Sequence, residues 1–134
     1  MNNNDPLASL LVSESQSIDK AGLAELLSPY LLINKESKSL DFSGGFWELP
    51  NAEKILLVLA GVKARSLILN TEDKITPSEI IKMDIAPEGS VKITLKNLLG
   101  SKDIKSENSR YYLPNYKLSQ VIARFKNLNL KKII

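Results

Sequence analysis

The chain has 134 residues, 43% hydrophobic and 25% charged, the balance of a soluble globular protein with room for one ordinary domain, or a small domain and an extension, but not two large domains. It contains no cysteine and no histidine, which excludes disulfides, thiolate nucleophiles, imidazole bases and the ligand sets of most zinc, copper and haem centres. The net charge of +3 is unevenly spread: residues 1–50 hold three lysines against seven acids, whereas from Val91 onward ten bases face only Asp103 and Glu107, a gradient that suits a polyanionic partner.

The carboxylates, Asp73, Asp84 and Asp103 among them, are scattered without metal-loop spacing. No glycine-rich phosphate loop and no dinucleotide fingerprint occurs, since Gly44-Gly45 and the isolated Gly61 lack the spacing. The chain therefore reads as a non-enzyme with no cofactor and no metal. No window reaches the apolar length of a membrane span, and Met1 to Pro6 does not open a signal peptide. The expectation is a cytoplasmic protein that makes no membrane contact.

In chain order, residues 1–16, rich in Asn and Ser, read as a flexible tail in which Asp5-Pro6 could start one short turn carrying Leu7, Leu10 and Leu11. Asp19 is the expected N-cap of a helix bearing Leu23, Leu26 and Leu27, with Ile18 as a staple and Ser28-Pro29 as the stop. Leu31-Leu32-Ile33 and Leu40-Asp41-Phe42 flank the polar run 34–38 as a small hairpin, after which Gly44-Gly45 breaks the chain. Together 17–50 form an acidic extension of helix and hairpin.

After Pro50 the strongest helical signal follows. Ile55, Leu56, Leu59, Val62, Leu67 and Ile68 recur at helical spacing, and Leu57, Val58 and Ala60 add apolar surface on other sides, so this should be a central helix ending at 70–73. Lys74-Ile75 can make one short strand. Thr76-Pro77-Ser78-Glu79 is a capping-box pattern with proline at the first helical position, which predicts a helix to about Asp84. Residues 85–89 form a turn, 90–99 a second helix, and Gly100 its stop. Strands are expected at Asp103-Ile104-Lys105 and from Arg110 to Leu113 around the polar turn 106–109. Pro114-Asn115 caps a last helix, Tyr116 to Asn127, with Leu118, Val121, Ile122, Phe125 and Leu128 on one face, and 130–134 is a basic tail. The fold class is α+β, mainly helical.

Two short helices joined by a tight turn make a helix-turn-helix unit. Within it Val91, Leu95 and Leu98, at i, i+4 and i+7, should face inward, leaving Ser90, Lys92, Ile93, Lys96 and Asn97 outward or at the edges. The pieces Gly89-Ser90-Val91, Lys92 and Leu95-Lys96-Asn97-Leu98, followed by the two strands, resemble the turn, recognition helix and wing of winged helix-turn-helix proteins. The resemblance covers residues 51–128 within a domain of 51–129, and rests on the order of elements. It implies double-stranded DNA as partner, read by Ser90, Lys92, Ile93, Lys96 and Asn97 with backbone contacts from Lys102, Lys105 and Arg110. It further implies a small transcriptional regulator or mobile-element accessory factor and a homodimer matched to two half-sites; the acidic extension 17–50, unsuited to DNA by its charge, should pack behind the winged domain or engage a protein partner. Two residues depart from the pattern: Ile93 stands where arginine is frequent, and Glu88 would repel phosphate. The alternative is a winged-helix module that contacts a protein instead of DNA.

Overall fold

The computed structural model describes residues 6–11 and 18–133; the flexible tail expected over 1–16 lies partly outside them. The expected short turn is a 3₁₀ helix, Pro6–Leu10. Helix α1, Lys20–Leu27, starts where Asp19 accepts a hydrogen bond from the Gly22 N–H and buries Leu23, Leu26 and Leu27. Strands β1, Leu31–Ile33, and β2, Leu40–Phe42, pair antiparallel with Leu31 opposite Phe42. The Asn34 side chain closes their loop by accepting from the Glu36 and Ser37 N–H groups. The glycine pair opens a 3₁₀ helix, Gly44–Glu48, with Gly44 at φ 57°.

Helix α2, Asn51–Leu69, is the axle of the fold and is buried continuously from Ile55 to Ala64. Layers pack on more than one side of it: α1 and the β1–β2 hairpin, and the helices that follow. Gly61 marks the closest approach of the hairpin, because a Cβ there would lie 3.1 Å from Leu40 Cδ1 and 3.2 Å from Leu31 Cδ2. Asn70, in the left-handed region, ends the helix. Spacing placed Leu67 and Ile68 on the apolar stripe, yet both are exposed, because no described element covers the last turn of α2.

Helix α3, Pro77–Lys82, carries the complete capping box of Thr76 and Glu79 and is shorter than expected, Asp84 lying beyond it at φ 55°. Helix α4, Glu88–Gly100, begins two residues earlier than its sequence pattern indicated. Gly100 is its last residue, as expected, but does not itself take the left-handed turn. The left-handed residue is Lys102, with the Asp103 N–H bonded to the Leu98 carbonyl and the Lys102 N–H to that of Leu99, the paired bonds of a Schellman ending. At the C-cap, the Ser101 hydroxyl lies 3.1 Å from the Leu98 carbonyl and 2.6 Å from Asp103.

Strands β3, Lys105–Glu107, and β4, Arg110–Tyr112, form the second antiparallel sheet, with Lys105 opposite Tyr112. Asp103 and Ile104 lie before it, and Ile104 is buried in the core. Asn108 and Ser109 are both at positive φ, as a two-residue turn matching the twist of the strands requires. Ile75 makes an isolated bridge to Tyr111. A 3₁₀ turn, Asn115–Lys117, then leads into α5, Leu118–Ile133, so the helix runs past Asn127 and most of the expected 130–134 tail is helical. Leu118, Val121 and Phe125 are buried, and Ile122 and Leu128 pack at the edge. The protein is α+β and mainly helical, and no helix among the described residues is long and apolar enough to cross a membrane.

Candidate functional site

Helix α4 separates its two faces cleanly. Val91, Leu95 and Leu98 are buried against the rest of the core, while Lys92, Ile93, Lys96 and Asn97 are exposed and Ser90 is half-buried. Three tethers set where that outer face points. The Thr76–Glu79 box fixes the start of α3. The Lys54 ammonium donates to the Ile85 carbonyl at 3.0 Å, tying the α3–α4 turn to the first turn of α2, and lies 5.6 Å and 5.9 Å from the Trp47 and Phe46 ring centres. The Schellman ending then directs the chain from α4 into the β3–β4 hairpin.

Lys92 and Lys96 lie one turn apart on the same row, and Ile93 and Asn97 on the next. Their circumstances differ. Lys92 is held by Glu88 at 3.1 Å, an i,i+4 pair in which both side chains are largely exposed, so the acid that opens the helix partly neutralises the first lysine of the row. Lys96 has no ion pair among the described residues. Ile93 is 63% exposed. The helix starts at Glu88, so Ser90 sits inside the first turn and not at its entrance.

The hairpin residues are more constrained than their sequence suggested. Arg110 is ion-paired to Glu72 at 3.3 Å and stands opposite Glu107 in the sheet register, so the Glu72 carboxylate already occupies its charge. Lys105 is half-buried with its ammonium 5.2 Å from the centre of the Tyr116 ring. Lys102, by contrast, is exposed at the end of α4. Between these elements runs a groove of about 440 Å³ lined by Leu99, Lys102, Lys105, Tyr116 and Lys117. Three lysines thus converge on one depression. Sequence reasoning missed Lys117 and Tyr116, because the turn before α5 reaches this place only through the tertiary packing.

Behind the hairpin, Lys74 spans the two sides of the sheet junction: its ammonium is 3.3 Å from Asp73 and 5.1 Å from the Tyr112 ring centre. The Asp73 hydrogen bond, reinforced by the charges of Asp73, Glu107 and Tyr112 and opposed by partial burial, holds it above the usual lysine value. It is a fully charged structural group at neutral pH.

The surface assembled here combines an exposed polar and cationic helix row, one exposed isoleucine, and a lysine-lined groove. It offers hydrogen-bond donors and positive charge to an extended anionic ligand. Among the described residues, no group of three or more acidic side chains is placed to hold a metal ion. Compared with protein-family models, with characterised proteins and with solved structures, the chain matches none.

Proposed function

We propose that residues 51–128 form a winged helix-turn-helix domain that binds double-stranded DNA, with α4 in the major groove and the β3–β4 hairpin along the backbone, in the manner of a small transcriptional regulator. The observation that carries this reading is the outer face of α4. Lys92, Ile93, Lys96 and Asn97 project from a helix whose opposite face is locked by Val91, Leu95 and Leu98, and the lysine-lined groove continues that face toward the hairpin. The element order supports the fold assignment: a core helix, a bridging residue at Ile75, two short helices, then a hairpin whose second strand accepts the bridge. Lys96 and Lys102 supply unpaired charge to phosphates, Lys92 does so after giving up Glu88, and Asn97 can address an adenine edge.

Fluorescence anisotropy of a labelled random-sequence duplex, titrated at several salt concentrations, tests the reading. The expected result is micromolar affinity that falls steeply with salt, and a Lys92→Ala/Lys96→Ala variant whose log–log salt slope is shallower by about 2 with the fold intact by circular dichroism. Absence of binding near 50 mM salt would remove the DNA reading.

One observation favours a second use of the same face. Ile93 presents its side chain to solvent between two lysines, a placement that a protein partner would bury. In that case Ile93→Glu abolishes a protein complex while DNA association is weak and short-lived from the outset.

A further inference from the structure

The N-terminal half of the fold carries an apolar depression that the α4 surface does not use. Helix α1, strand β1 and the last turns of α2 enclose about 410 Å³ between them. Leu27 and Leu31 form its floor, and Leu32, Leu67 and Ile68 its rim, with Leu32 and Ile68 each 70% exposed. Lys20, at the edge, is the single charged residue among those lining it.

The same chain displays a second apolar surface of matching character. Leu7, Leu10 and Leu11 are all exposed on and beside the Pro6–Leu10 helix, where Leu7 and Leu10, three apart in a 3₁₀ turn, share one face. The stretch from Pro6 to Leu11 carries no charge. Docking it into the groove would therefore desolvate no ion on the segment's side.

We propose that the groove is the seat for the Pro6–Leu11 segment of a second copy, each chain inserting its leucines into the other's groove to make a symmetric dimer. Reach permits the exchange. Leu11 to Ile18 is seven Cα steps, up to about 25 Å when extended, roughly twice the 12 Å or so of an eight-residue helix such as α1. The segment can thus leave the edge of its own groove, marked by Lys20, and cross to a neighbour. Among the described residues of a single copy, Leu10 and Leu11 of the segment and Leu32 and Ile68 at the groove's rim are all exposed. A two-fold exchange closes four apolar surfaces at once and leaves no propagating end.

Sedimentation velocity on the full chain should give a dimer at micromolar concentration, and Leu10→Ser/Leu11→Ser and Ile68→Glu should each sediment as folded monomers. All three substituted positions are exposed, so loss of the fold is not the expected effect, and circular dichroism checks it. Because the chain has no cysteine of its own, the seat can be mapped directly: a Leu10→Cys chain mixed with an affinity-tagged Ile68→Cys chain should form the mixed disulfide in preference to either homodimer. A monomeric full chain overturns the proposal. So does a dimer that survives both sets of substitutions, which would place the interface elsewhere. A Leu10→Cys/Ile68→Cys chain that cross-links only within itself would assign the groove to the chain's own segment and overturn it equally.

Discussion

Ile75 and Tyr111 exchange both backbone hydrogen bonds, the Ile75 N–H to the Tyr111 carbonyl at 3.0 Å and the Tyr111 N–H to the Ile75 carbonyl at 2.7 Å. This bridge joins the segment entering α3 to the second strand of the hairpin, and so couples the helix pair to the hairpin through the backbone. The Ile75 side chain is buried in the core at the same point. Ile75→Ala should cost about 2–4 kcal/mol in denaturant unfolding through the lost apolar contacts and the residual cavity. Native-state hydrogen exchange of the Tyr111 amide should accelerate in the variant more than that of α2 amides. Equal acceleration throughout would show that the bridge has no local role.

A second long-range tie is ionic. The Arg124 guanidinium donates from Nε at 2.9 Å and from Nη2 at 2.6 Å to Glu53 Oε1, linking α5 to the first turn of α2. Glu53 is 8% exposed, whereas the Arg124 side chain is 41% exposed, so water shares the arginine and the pair is worth less than a fully buried one. Glu53→Gln should lower stability by about 1–2 kcal/mol. Adding Arg124→Met should recover part of that loss, since no charge then lacks its partner. A double variant less stable than the sum of the two single ones would contradict this account of the tie.

What could be read from sequence, and what could not, follows from the range of the interactions involved. The hairpin strands 31–33 and 40–42, the Asp19 cap, the Thr76–Glu79 box and the inward set of α4 depend on residues within a few positions of one another, and the structure has them where the pattern placed them. Glu53 and Lys63, charged residues off the apolar stripe of α2, are buried. Their partners, Arg124 and Asn115, are 71 and 52 residues away, and no local pattern announces such pairs. Gly100 attracted the helix stop because glycine tolerates the left-handed turn, but the left-handed residue is Lys102, just past the Ser101 cap whose hydroxyl engages Leu98 and Asp103. For the α4 surface, sequence identified the side chains but not their neighbours: Glu72 on Arg110, Tyr116 under Lys105, and Lys117 across the groove.

The hairpin turn contains an avoidable strain. Ser109 sits at φ 62° beside Asn108 at φ 52°. Asparagine tolerates that region, while serine pays for its Cβ there. Ser109→Gly should raise stability by about 0.5–1 kcal/mol, because relief of the steric cost outweighs the extra freedom of glycine in the unfolded chain. Thermal unfolding would register this as a rise of a few degrees for a domain of this size. A fall in the midpoint would mean that the Ser109 side chain makes contacts worth more than the strain.

The Glu88–Lys92 pair supplies the most discriminating test of the DNA reading. Both side chains are largely exposed and 3.1 Å apart, so the pair contributes little to folding, a few tenths of a kcal/mol together with the favourable interaction of Glu88 with the start of α4. Its effect on an approaching phosphate is larger. Glu88 both repels the phosphate and occupies the cation that would meet it, a combined penalty on the order of 0.5–1 kcal/mol at surface dielectric and low salt. Glu88→Gln should therefore tighten binding to random duplex by about two- to fivefold near 50 mM salt, steepen the log–log salt slope by up to about 1, and lose its advantage as salt rises. Glu88→Gln in a Lys92→Ala background should give a smaller gain, since only the repulsion is then removed. Unchanged affinity in both backgrounds would show that the first turn of α4 does not meet the phosphates, and would move the contact surface to Lys96, Lys102 and the lysine-lined groove.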